Sequence, residues 1–104
     1  MNLVFEKHHS KEKTFVALGG EIDAFTAPKL KEELLPLAGA ENQFLIISLK
    51  DVSYIDSTGL GVFVGLFKQI TKNNGKLKLV ELSDRLERLF QITGLDNIID
   101  ISTN

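Results

Sequence analysis

Apolar and polar positions alternate through the opening of the chain and then change period. "NLVFE" (residues 2–6) is short and apolar, and "KTFVALGG" (13–20) alternates before ending in a glycine pair. The polar stretch "KHHSKEK" between them reads as a turn, so residues 2–19 are expected to form a hairpin. In "EIDAFTAPKLKEELLPLAGA" the period becomes helical. Thr26 can cap, Pro28 is tolerated in a first turn, and Leu30, Leu34 and Leu37 recur on one side. Pro36 is expected to end or kink this helix, and Gly39 to stop it.

The next stretch, "FLIISLKDVSYI", opens with a continuous apolar run, Phe44 to Leu49. Such a run predicts a central strand covered by helices on both faces. From Leu60 to Lys72 the spacing is helical again. Leu60, Phe63, Val64, Leu66, Phe67 and Ile70 fall on one broad face, and Gly61, Gly65, Lys68, Gln69 and Lys72 on the other. "NNGKLKLVEL" reads as turn then strand, and "SDRLERLFQITGL" as a helix capped by Ser83 or Asp84 and ended by Gly94. "NIIDI" is a last short strand or a helical tail. Strands and helices thus alternate after an opening hairpin. That order predicts a small α/β domain with a mixed, mostly parallel sheet, spanning residues 1–104 as one unit.

Composition narrows the function classes. The 12 basic and 14 acidic residues give a formal charge of −2, spread evenly over both halves of the chain. Nucleic acids and acidic membranes call for a basic patch, so neither is an expected partner. The chain has no cysteine, which removes thiol chemistry and disulfides and suits a reducing compartment. Its start, "MNLVFEKHH", lacks the apolar core of a signal peptide, and no segment approaches a membrane span. The expectation is a cytoplasmic protein.

Candidate chemistry gathers at "YIDSTGLG" (54–61), where an apolar strand ends in an acid, two hydroxyls and two glycines. A metal site is not expected: the only histidines, His8 and His9, are adjacent and would point apart in a strand. Serine hydrolysis would need a Gly-x-Ser-x-Gly elbow, which "DSTGLG" lacks. "GLGVFVG" is not a dinucleotide fingerprint, because its third glycine falls one position late. Asp23 and Asp56 would emerge on one rim if their strands are neighbours. A pair of acids there suits Mg²⁺ or acid–base work, but capping and turn-building are the more common uses of such residues.

Ser57 or Thr58 sits at or just before the first turn of a helix. The free N–H groups there stabilise negative charge, so the domain itself would tolerate a phosphoryl group on either hydroxyl. A docked partner would feel the new charge strongly. The plain alternative makes Ser57 an N-cap. Gly61 and Gly65 lie one turn apart on the outer face, where each lowers helix propensity by about 1 kcal/mol relative to alanine. Small residues there allow another surface to approach the backbone.

"GEIDAFTAPKLKEEL", "LIISLKDVSYIDSTGLGVFVGLFK" and "GKLKLVELSDRLERLFQITGLDNII", in this order, strongly resemble the STAS-domain anti-sigma factor antagonists of bacteria, nearest the general stress response branch. The resemblance covers essentially the whole chain. It implies a non-enzyme without cofactor or metal. The unphosphorylated form would bind an anti-sigma factor that is also a serine kinase, and so release the sigma factor. Phosphorylation in the Asp-Ser-Thr-Gly loop would abolish that binding, and a PP2C-type phosphatase would restore it. The resemblance places the acceptor at Ser57, with Thr58 as the alternative. It implies partner contacts at Asp23, Asp56, Ser57, Thr58, Gly59, Leu60, Gly61 and Gly65. The runner-up reading is a STAS adaptor or scaffold of another circuit, using the same surface without phosphorylation. Self-association is left open, since an exposed sheet edge permits it.

Overall fold

A computed structural model describes residues 3–10 and 13–103. Strands β1 (Leu3–Ser10) and β2 (Lys13–Ile22) pair antiparallel, with Leu3 opposite Gly20 and Ser10 opposite Lys13. This is the expected hairpin, with two differences. His8 and His9 belong to β1, opposite Phe15 and Thr14, rather than to a turn; of the stretch expected to turn, residues 11–12 lie outside the described residues. And β2 does not stop at the glycine pair. It passes through register shifts on either side of Gly19–Gly20 and continues to Ile22. Gly20 adopts φ 104°, a conformation glycine reaches without steric cost, so the pair bends the strand instead of ending it.

Helix α1 (Ala27–Leu34) runs on into a 3-10 turn, Leu35–Ala38, at the point where Pro36 removes a backbone donor. Its inner side is Leu30, Leu34 and Ala38, all buried, while Leu37 is half-buried. Strand β3 (Phe44–Ile55) leads into helix α2 (Ser57–Lys72), then strand β4 (Lys76–Leu82) and helix α3 (Asp84–Ile92). Ser83 caps α3 by accepting from the Leu86 N–H at 3.2 Å. A 3-10 turn at Leu95–Asn97 precedes the last strand, β5 (Asp100–Thr103), so "NIIDI" closes the sheet rather than extending a helix.

The five strands lie in the order β1-β2-β3-β4-β5, and every pair except the hairpin is parallel. β3 is central, as its apolar run predicts, but it is not covered by helices on both faces. Leu45, Ile47 and Leu49 are fully buried, together with Val16, Leu77 and Leu79 beside them, while Phe44 and Ile46 on the opposite face are only half-buried. The helices form one layer: the Phe63 ring of α2 lies 6.3 Å from the Phe90 ring of α3, and α1 flanks α2. On the second face the polar member of the run, Ser48, is buried by donating to the Glu81 carboxylate at 2.7 Å. Val62 of α2 is buried and Val64 half-buried, which rotates the inner face slightly toward α1 from the expected one. Among the described residues no helix is long and apolar enough to cross a membrane.

Candidate docking surface at the rim of the sheet

Parallel strands β2 and β3 end in register, with Ile22 opposite Ile55. Asp23 and Asp56 therefore leave the sheet at the same rim. The Asp56 N–H donates to the Ile22 carbonyl at 3.0 Å, one more rung before the chain turns into α2. Asp56 has extended backbone, and its Oδ1 accepts from the Gly59 N–H at 3.0 Å. The N-cap of α2 is thus Asp56. A carboxylate suits this position because it satisfies an unpaired donor and complements the positive end of the helix.

The capping assignment decides the state of the hydroxyls. With Asp56 as cap, Ser57 is the first helical residue, and the reading of Ser57 as N-cap gives way. Ser57 and Thr58 are both exposed, and among the described residues neither hydroxyl has a hydrogen-bond partner.

Gly59 and Leu60 turn inward and support the surface from beneath; both are buried. A Cβ on Gly59 would lie 2.6 Å from Ile22 Cγ2 and 2.9 Å from the Ile22 carbonyl oxygen. Its role is close approach of the helix to β2. Gly61 and Gly65 are different: each is exposed, and a Cβ at either would meet nothing within 4 Å. Nothing inside the domain requires them to be glycine.

Those two glycines open into a groove of about 560 Å³ between α1 and α2. Pro28, Lys31 and Leu35 line one side, and Thr58, Gly61 and Gly65 the other. The α1 side of this groove is not legible from local pattern, since the residues look like an ordinary exposed helix face.

Asp23 organises the loop leading into α1. Its Oδ1 accepts from the N–H groups of Phe25 at 2.9 Å and Thr26 at 3.1 Å. Thr26 Oγ1 in turn accepts from the Asp23 N–H at 2.9 Å and donates to the Glu21 carbonyl at 2.8 Å. Thr26 stands at the N-cap position of α1 as expected, but its hydroxyl serves the loop and caps nothing. The reciprocal bonds hold Phe25 outward, 85% exposed. An apolar residue just before a helix cap commonly folds back onto the first turn. Phe25 does not; the sequence shows only an apolar residue before the Thr26 cap, and its exposure appears in the structure alone. Each acid of the rim thus spends one carboxylate oxygen on its own backbone, the geometry of turn-builders. Among the described residues no group of three or more potential metal ligands exists.

Comparison with known proteins decides the family. The STAS domain profile matches residues 4–104. The chain belongs to the STAS domain family. Among its relatives, the anti-sigma-B factor antagonist of Bacillus subtilis (strain 168) is 56% identical, over 98% of this chain and 93% of that protein. The anti-sigma-B factor antagonist of Listeria monocytogenes is 51% identical, over 97% of this chain and 90% of that one. A crystal structure of an anti-sigma factor antagonist from Mycobacterium paratuberculosis superimposes with a TM-score of 0.87 at 23% identity, covering 99% of this chain and 87% of that one, and shows the shared fold. The chain is a STAS domain of the anti-sigma factor antagonist type, a regulatory rather than a catalytic module.

Proposed function

We propose that this protein works as a phosphorylation-switched antagonist of an anti-sigma factor in the cytoplasm. In its unmodified form it docks the rim and the α1–α2 groove onto an anti-sigma factor that carries serine kinase activity, and the sigma factor is released. The contacts come from Asp23, Asp56, Ser57 and Thr58 at the rim and from Gly61 and Gly65 in the groove, with Gly59 and Leu60 holding the helix start in place. The names of the 56% and 51% identical relatives support a partner of the anti-sigma-B class.

The partner supplies ATP. Its γ-phosphoryl group passes to Ser57 Oγ, the hydroxyl proton leaves, and ADP remains with the kinase. The observation that carries this reading is the cap: Asp56 holds the Gly59 N–H, so the Ser57 hydroxyl stands exposed and unpartnered at the helix start. The helix end stabilises the added charge within the domain, so modification does not unfold it. The docked surface responds differently, because a dianion beside the Asp56 carboxylate must be desolvated where an uncharged hydroxyl stood before. A PP2C-type phosphatase reverses the step by adding water to the phosphoryl group. Thr58, also exposed, is the alternative acceptor.

The test is reconstitution with the cognate anti-sigma kinase and ATP, followed by fragmentation mass spectrometry. One phosphoryl group on Ser57, absent from the Ser57→Ala variant, is expected. A fully unmodified chain after prolonged incubation with active kinase would remove the switch from the account.

A further inference from the structure

A second groove, of about 320 Å³, flanks the same rim on the side of α3. Ile55 and Leu86, both buried, form its floor, and Tyr54, Arg85, Arg88 and Ile92 stand around it. Ile55 lines this groove and Thr58 lines the first, so the Asp56–Ser57 pair lies between the two along the chain.

Two features set this surface apart from an ordinary helix flank. Tyr54 and Ile92 are 47% and 76% exposed, two of the five large apolar residues left in solvent among the described residues. And the chain contains only two arginines, Arg85 and Arg88, both of which border this groove. Neither has a carboxylate within 4.0 Å among the described residues, although Asp84 lies four residues before Arg88 on α3, a spacing that places such a pair side by side on a helix. Among the described residues the ion pairs instead join Lys7 and Lys29 to Glu32 and Glu33.

We infer that the Tyr54–Arg85–Arg88–Ile92 groove is a second docking surface for an acidic, amphipathic protein segment, with an apolar side chain on the floor and carboxylates on the two guanidinium forks. Arginine presents a planar pair of donors that matches a carboxylate two bonds at a time, and it is enriched, with tyrosine, at protein interfaces. A nucleic acid would need a basic stripe, which a chain of net charge −2 with its lysines scattered elsewhere does not provide. The inference does not depend on the Ser57 switch, because it rests on residues of β3 and α3 alone.

A short synthetic helical peptide, leucine on one face and glutamate flanking it, serves as the probe, with a lysine-for-glutamate version as control. Titrated into the full chain and followed by amide NMR, the acidic peptide is expected to move the signals of Tyr54, Arg85, Arg88 and Ile92, and the basic one to leave them in place. Arg85→Glu with Arg88→Glu is expected to weaken binding roughly tenfold, and added salt to weaken it as well. Ile92→Ser is expected to weaken it without changing the salt dependence. Equal binding of both peptides, no shift at saturating peptide, or full binding by the double variant overturns the inference. Shifts confined to Gly61 and Gly65 overturn it too, while leaving the first groove intact.

Discussion

Gly59 and Ile22 approach so closely that a β-carbon on the glycine would sit 2.6 Å from the isoleucine methyl. This contact seats the start of α2 on the end of β2, and with it the Asp56–Ser57 turn. Gly59→Ala forces the helix away from the sheet. Overpacking of this kind costs about 1–3 kcal/mol, a fall in Tm of roughly 5–15 °C for a domain of this size. Thermal denaturation followed by circular dichroism checks it; an unchanged Tm would show that the helix shifts freely at this point.

Gly61 behaves in the opposite way, because its β-carbon would enter open space. Gly61→Ala is expected to stabilise the domain by up to about 1 kcal/mol through helix propensity alone. Gly61→Trp fills the α1–α2 groove, so it should weaken anti-sigma factor binding while leaving the fold intact. Paired melting curves and calorimetric titrations read both effects. A Trp variant that unfolds would withdraw the docking role of this glycine.

Asp56 caps α2 through a single bond to the Gly59 N–H. Removing it by Asp56→Ala is expected to cost about 0.5–2 kcal/mol, and Asp56→Asn, which keeps an acceptor oxygen, much less. Urea denaturation of the two variants separates the capping function from the charge. Equal losses in both would mean that the carboxylate charge, rather than the hydrogen bond, holds the helix start.

Much of this architecture is legible in the sequence because it is periodic. The hairpin, three helices and central strand follow from alternation and helical spacing, and the shared rim of Asp23 and Asp56 follows from strand adjacency. What escaped the pattern depends on contacts between distant segments. The run at Phe44–Leu49 looks doubly buried, yet its second face is covered by partial shielding and the Ser48–Glu81 bond, neither visible locally. The pair Gly19–Gly20 carries the composition of a turn, and only pairing on both sides shows that β2 continues through it. At the site, Asp, Ser and Thr in sequence are all good caps. Which one caps is decided by the Asp56 N–H bonding back to Ile22, a relation across strands. The grooves are likewise made from two elements each.

Charge at Ser57 is expected to separate two variants that differ by one carboxylate. Ser57→Ala should bind the anti-sigma factor constitutively, and Ser57→Asp should bind more weakly, though one carboxylate carries less charge than a phosphoryl group. Calorimetry on the two proteins gives the comparison, and an equal loss in both would point to the hydroxyl itself as the contact.

The most direct measurement compares the affinity of the unmodified chain with that of the chain phosphorylated stoichiometrically at Ser57, both titrated into the same anti-sigma factor kinase with circular dichroism recorded alongside. The expected result is tight binding by the first, a loss of at least about tenfold by the second, and superimposable spectra. Equal affinities for the two forms would contradict the account, since the exposed hydroxyl beside the Asp56 cap would then carry no signal.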